Sequence, residues 1–130
     1  MIQPGDSFVI PGATGETDHL IIVITNWDAN GDAIAVNLTD FEGVDDPVID
    51  IPAGAPLTPG FTTIKRSTIN YAKARRAPAE VMDWVAHSPS VDPKGICDPA
   101  WLAKIREQVF ASPYTPGEVL DYCEAFDWGT

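Results

Sequence analysis

The sequence predicts an α+β fold, with a small barrel-like set of short strands over about residues 5–72 followed by two or three C-terminal helices. Three observations carry this. The first half alternates brief β-branched runs with Gly, Pro and Asn, which suits strands joined by turns. After Tyr71 the composition changes to helix formers with apolar residues three and four apart. At 130 residues the chain is long enough for one domain with a real core and too short for two ordinary ones, so residues 1–130 are read as a single domain, 1–72 its β part and 78–127 its helical part.

The elements follow in order. "DSFVIP" reads as a strand from Ser7 to Ile10, ended by Pro11-Gly12. "HLIIVIT" contains the longest apolar run, Leu20 to Ile24, too short and too uniformly apolar for an amphipathic helix. Asn30-Gly31 signals a two-residue hairpin turn, because both residues tolerate positive φ, and it leads into a second strand from Ala33 to Leu38. From Asp40 to Gly60 the chain is rich in Pro, Gly and Asp, which predicts a long loop carrying one edge strand at Val48-Ile49 and Ile51. Phe61 to Tyr71 is a further β-rich segment. Ala79 to Ala86 then reads as a helix with Val81, Trp84 and Val85 on one face. After the breaker "HSPSVDPKG", Asp98 is a plausible N-cap with Pro99 at the first helical position, and Trp101, Leu102, Ile105 and Val109 form an apolar stripe. A last helix runs from about Glu118 to Phe126, and the trailing "DWGT" is expected to fray.

The formal charge is −11, with 45% hydrophobic and 21% charged residues. That composition is globular rather than disordered, and no apolar run approaches the roughly 20 residues needed to span a bilayer. The start, "MIQPGDSF", has neither the basic region nor the apolar region of a secretory signal, so a cytoplasmic location is expected. Cys97 and Cys123 have no CxxC partner and read as ordinary buried thiols. Asp28, Asn30 and Asp32 have the spacing of a calcium loop at first sight, but the glycine stands fourth rather than sixth and no Glu stands twelfth; they are read as a turn. Acids Asp40, Glu42, Asp45, Asp46 and Asp50 read as a solvated loop. No metal site and no cofactor is expected.

Charge is unevenly spread. Residues 1–64 contain no Lys or Arg, whereas Lys65, Arg66, Lys73, Arg75 and Arg76 fall within twelve residues without an acid. This basic island either neutralises carboxylates within the fold or receives an anion, a phosphate or an acidic partner.

No HExxH, GxSxG, P-loop or GxGxxG motif is present. What remains is a constellation at strand ends. A hairpin closed by Asn30-Gly31 brings Thr39 and Asp40 to the same open end as His19. An imidazole can exchange protons near neutrality, and a neighbouring carboxylate can orient it. The candidate catalytic residues are therefore His19 and Thr39, with Asn37, Asp40, Lys65, Arg66 and Ser67 as substrate-binding candidates. Ser67 has no evident activating base. The same imidazole could equally be a structural group satisfied by Thr39 or Asp40, and His87, at a helix end where a cation is favoured, reads as structural.

The segment "PGDSFVIPGATGETDHLIIVITN", followed across a hairpin by "AIAVNLTD", resembles the opening of the MazF/PemK toxin family. Gly5-Asp6, the loop Gly12 to Glu16, the strand Ile21 to Thr25 and Leu38-Thr39 fall in the family's order. The resemblance covers about residues 4–40 and, weakly, 61–72. It implies a small SH3-like barrel with helices, usually a homodimer, that cleaves single-stranded RNA without metal and is neutralised by a protein antitoxin, in a prokaryotic toxin–antitoxin pair. Thr39 matches the family's active-site threonine, whereas His19 stands where the family has an arginine. The alternative from composition and charge is a non-catalytic SH3-like interaction module that docks a protein partner through its acidic surface or the Lys65 to Arg76 segment.

Overall fold

Strand β1 (Asp6–Ile10) pairs antiparallel with β2 (His19–Val23), and β2 pairs antiparallel with β3 (Asp32–Asp40). The computed structural model describes residues 2–11 and 18–126; the loop Gly12 to Glu16 and the tail 127–130 lie outside the described residues. Two short strands, β4 (Pro56–Thr58) and β5 (Phe61–Thr62), form a separate ribbon. β6 (Ser67–Ile69) pairs with the end of β3, and β7 (Arg75–Pro78) with its beginning. Helix α1 (Ala79–Ala86) precedes β8 (Asp92–Ile96), which pairs antiparallel with β1. Helices α2 (Pro99–Gln108) and α3 (Gly117–Ala125) follow. The fold is thus α+β, a mostly antiparallel sheet in the order β6-β3-β2-β1-β8 with β7 also on β3, plus three helices among the described residues.

The uniform apolar run Leu20 to Ile24 has a simple cause: the sheet is covered on both faces. Leu20, Ile22 and Ile24 join Ile34, Val36 and Leu38 in one cluster, which the apolar sides of α2 and α3 complete through Ile105, Val109 and Val119. Ile21 and Val23 point the other way, with Ala33 and Ala35, against Ala79 and Met82 of α1. A strand buried on both faces loses its period-two pattern.

The structure departs from several expectations. A closed barrel is not shown among the described residues: β8 pairs with β1, β7 with β3, and β6 with β3 and, through one isolated bridge, with Ile51. The β part does not end at residue 72, because β7 and β8 return to the sheet from the segment expected to be helical. Their side chains are largely exposed and β8 contains Pro93, so neither carries a strand pattern. Phe61 to Tyr71 is two short strands separated by a bend at Ile64 and Lys65, and Val48 to Ile51 supplies only an isolated bridge from Ile51 to Ser67.

The β2–β3 turn is also longer than a two-residue loop. Asp28 N–H donates to Asp32 O, Gly31 N–H donates to Asp28 O, and φ is positive at Gly31 but not at Asn30. That is a three-residue loop with a glycine bulge. Asp28 Oδ1 fixes it by accepting from the amides of Asn30 and Asp32. In α1, Val81 and Trp84 face solvent, 51% and 76% exposed, while Ala79 and Met82 are buried.

Candidate functional site

The register of β2 on β3 sets Ile21 opposite Asn37. The ladder between the two strands stops there: two residues further, His19 pairs with Ile10 of β1 and Thr39 with Thr68 of β6, so β2 and β3 part and leave an opening between them. The open end they form is one side of a cleft of about 800 Å³. Asp18 and His19 enter it from the start of β2, and Thr39 and Asp40 from the end of β3. Phe61, Ile64, Lys65 and Ser67 come from β5, the bend after it and the first residue of β6. Lys73 and, from β8, Asp92 and Lys94 complete the lining.

The fold delivers the β8 residues through two contacts. Val9 pairs with Asp92 in the β1–β8 ladder. The turn between β4 and β5 then docks on β8, where Gly60 N–H and the Thr58 hydroxyl both donate to Lys94 O, at 3.0 and 2.6 Å. A side chain at Gly60 would sit 2.9 Å from that carbonyl oxygen, so glycine permits the approach.

Of the residues expected to form a site, His19, Thr39, Asp40, Lys65 and Ser67 meet in this cleft, and Asn37 and Arg66 do not. Asn37 is buried in the sheet with its side-chain oxygen lacking a hydrogen-bond partner among the described residues. Arg66 forks onto Asp50 at 2.8 and 2.9 Å and lies 3.5 Å over the Phe41 ring. That hydrogen-bonded guanidinium holds the Asp50 carboxyl below the usual carboxylate range. Ser67 spends its hydroxyl on Lys65 O at 2.8 Å, within its own bend. The basic island is therefore divided: Arg76 is taken up by Asp28 and Asp32, at 3.0 and 2.9 Å, and Lys65 and Lys73 remain for the cleft.

The imidazole of His19 is hydrogen-bonded to neither Thr39 nor Asp40; Asp40 instead accepts Lys65 Nζ at 2.9 Å. Lys94 Nζ lies 2.7 Å from Asp92. Lys73 makes no ion pair among the described residues. Three of the chain's four lysines thus line one cleft, balanced by Asp18, Asp40 and Asp92, in a molecule of formal charge −11. Local potential decides where an anion settles, and this is where the cations have been gathered. Among the described residues no group of three His, Cys, Asp or Glu side chains is placed to hold a metal ion.

Sequence reasoning missed Asp18, Phe61, Asp92 and Lys94. Nothing local marks them; Lys94 reaches the cleft only because β8 returns beside β1. In comparisons with known proteins, no family model, no curated protein and no solved structure matches the chain. No helix among the described residues is long and apolar enough to cross a membrane.

Proposed function

We propose that the cleft binds single-stranded RNA through its phosphates and that the protein is a metal-independent, cytoplasmic endoribonuclease of the kind the MazF/PemK resemblance implies. The observation that carries this reading is the gathering of Lys65, Lys73 and Lys94 around His19 in an otherwise acidic molecule. His19 takes the proton from a ribose 2′-hydroxyl. The 2′-oxygen then attacks the adjacent phosphorus, the bond from phosphorus to the 5′-oxygen breaks, and the departing oxygen takes a proton from water. The lysines offset the charge on the non-bridging oxygens, and Thr39, which lines the same cleft from β3, orients the phosphate. The product is a 2′,3′-cyclic phosphate.

The test is cleavage of a labelled single-stranded RNA by the wild-type chain and by His19→Ala. A general base is worth roughly 10²–10⁴-fold in rate, so a loss of that size is expected. Equal cleavage by both removes the role of His19. Binding without cleavage by the wild type would instead leave a non-catalytic module with the same cleft.

A further inference from the structure

Ile64 is 94% exposed, more than any other large apolar side chain among the described residues, and it stands in the wall of the lysine-lined cleft. A single exposed apolar residue is ordinary on a mobile loop. This one is held from both sides. Before it, Thr63 is buried: its hydroxyl donates to Pro52 O at 2.7 Å and accepts from Ala55 N–H at 2.8 Å, and its backbone exchanges bonds with Gly54 and Ala55. After it, Ser67 exchanges two backbone bonds with Ile51 at 2.8 and 2.9 Å. Phe61, half-buried against the core, lines the same cleft. Two apolar side chains are thus fixed beside three ammonium groups and three carboxylates.

We propose that Phe61 and Ile64 form a subsite for one unpaired nucleobase of the strand whose phosphates the lysines hold; this rests on the reading of the cleft given above. A nucleotide matches the whole lining. Its phosphate meets the lysines in place of the Asp40 carboxylate, its base face meets the apolar pair, and its amino and hydroxyl hydrogens meet the carboxylates of Asp18 and Asp92. An acidic peptide would bring further carboxylates to the three that line the cleft and no donors on its acidic side chains. A duplex keeps its bases stacked inside, so the ligand is single-stranded.

The test is fluorescence anisotropy with a labelled 2′-O-methyl RNA strand, which lacks the attacking hydroxyl, its duplex of the same sequence, and inorganic tripolyphosphate as competitor. The single strand binds more tightly than the duplex, and Ile64→Ala weakens it about three- to ten-fold, as loss of an aliphatic contact area of that size does. Phe61→Leu, which keeps the core filled but removes the ring, weakens it in the same direction. Tripolyphosphate competes with unchanged affinity in both variants. Equal strand affinity in wild type and both variants, or a duplex that binds as tightly, overturns the subsite while tripolyphosphate binding leaves the anion cleft standing. Failure of the wild type to bind either strand or tripolyphosphate overturns both. An acidic, leucine-containing peptide that displaces the strand and is itself weakened by Ile64→Ala overturns the nucleobase assignment in favour of a peptide.

Discussion

Lys65 and Asp40 lie 2.9 Å apart with both side chains more than half exposed, 66% and 53%. An exposed pair of this kind is worth about 0.2–1 kcal/mol, little enough for an incoming phosphate to displace the carboxylate. Asp40 therefore acts as a competitor for the ligand. Asp40→Asn should tighten tripolyphosphate binding by about two- to five-fold, and Lys73→Ala should weaken it, both read by titration calorimetry; a weaker Asp40→Asn would mean the carboxylate positions the ligand instead. The two thiols are the opposite case. Cys97 and Cys123 are each 1% exposed, and burial pushes both up to about 11. An unfolded thiol titrates at about 8.5, so the folded state favours the protonated form. That preference costs nothing below about pH 8.5 and lowers stability as pH rises from there through about 11. At neutral pH Ellman's reagent should label neither cysteine in the native protein and both in urea. Fast labelling of one native thiol would contradict its burial.

At the scale of elements, what could be read from the sequence was whatever has a local cause. Asp98 caps α2 by accepting from the amides of Ala100 and Trp101, with Pro99 following, and this arrangement is visible in four letters. Asp98→Ala should cost about 0.5–2 kcal/mol, measured by urea denaturation. β7 and β8 were not legible because their strand character comes from backbone pairing with β3 and β1, while neither "RRAP" nor "DPKGI" has a fully buried side chain to give an apolar alternation. The orientation of α1 was misread for another reason: eight residues carry apolar side chains on two sides, and the surface beneath, Phe8, Ile21, Val23, Ala33 and Ala35, which is remote in sequence, decides which side packs. The outcome is measurable. Met82→Ala should cost about 2–5 kcal/mol, whereas Trp84→Ala should stay within about 0.5 kcal/mol. Half of the site was legible in the same sense. His19, Thr39 and Asp40 follow from a hairpin, Lys65 from its island, but Lys94 depends on β8, and its place beside Phe61 depends on Gly60. Gly60→Ala, with its Cβ 2.9 Å from Lys94 O, should destabilise the fold by roughly 1–3 kcal/mol and weaken anion binding together.

At the scale of the whole molecule, the two apolar clusters are not independent bodies, because β2 and β3 supply side chains to both. Ile22 and Val36 face α2 and α3, and their neighbours Ile21 and Ala35 face α1. Further ties cross the sheet edges. Arg76 of β7 bridges Asp28 and Asp32 and lies 5.3 Å over the ring of Tyr122 in α3, whose hydroxyl sits between the carbonyls of Asn26 and Asp32. Arg106 of α2 donates to Ile24 O at 2.8 Å. Losing either helical layer would leave one face of a shared strand pair open to water, so neither layer has a stable intermediate in which the other survives. The expected behaviour is one unfolding transition. Met82→Ala removes contacts on the α1 side and Ile105→Ala on the α2 side, each lowering stability by about 2–5 kcal/mol. In urea, far-ultraviolet circular dichroism and tryptophan fluorescence should give the same midpoint for wild type and for each variant, shifted but not split. A separate early transition in Met82→Ala would show that α1 and its cluster melt alone. The cleft would then still be intact in the intermediate only if β1 and β8 stayed paired, which tripolyphosphate binding across the same urea series would report.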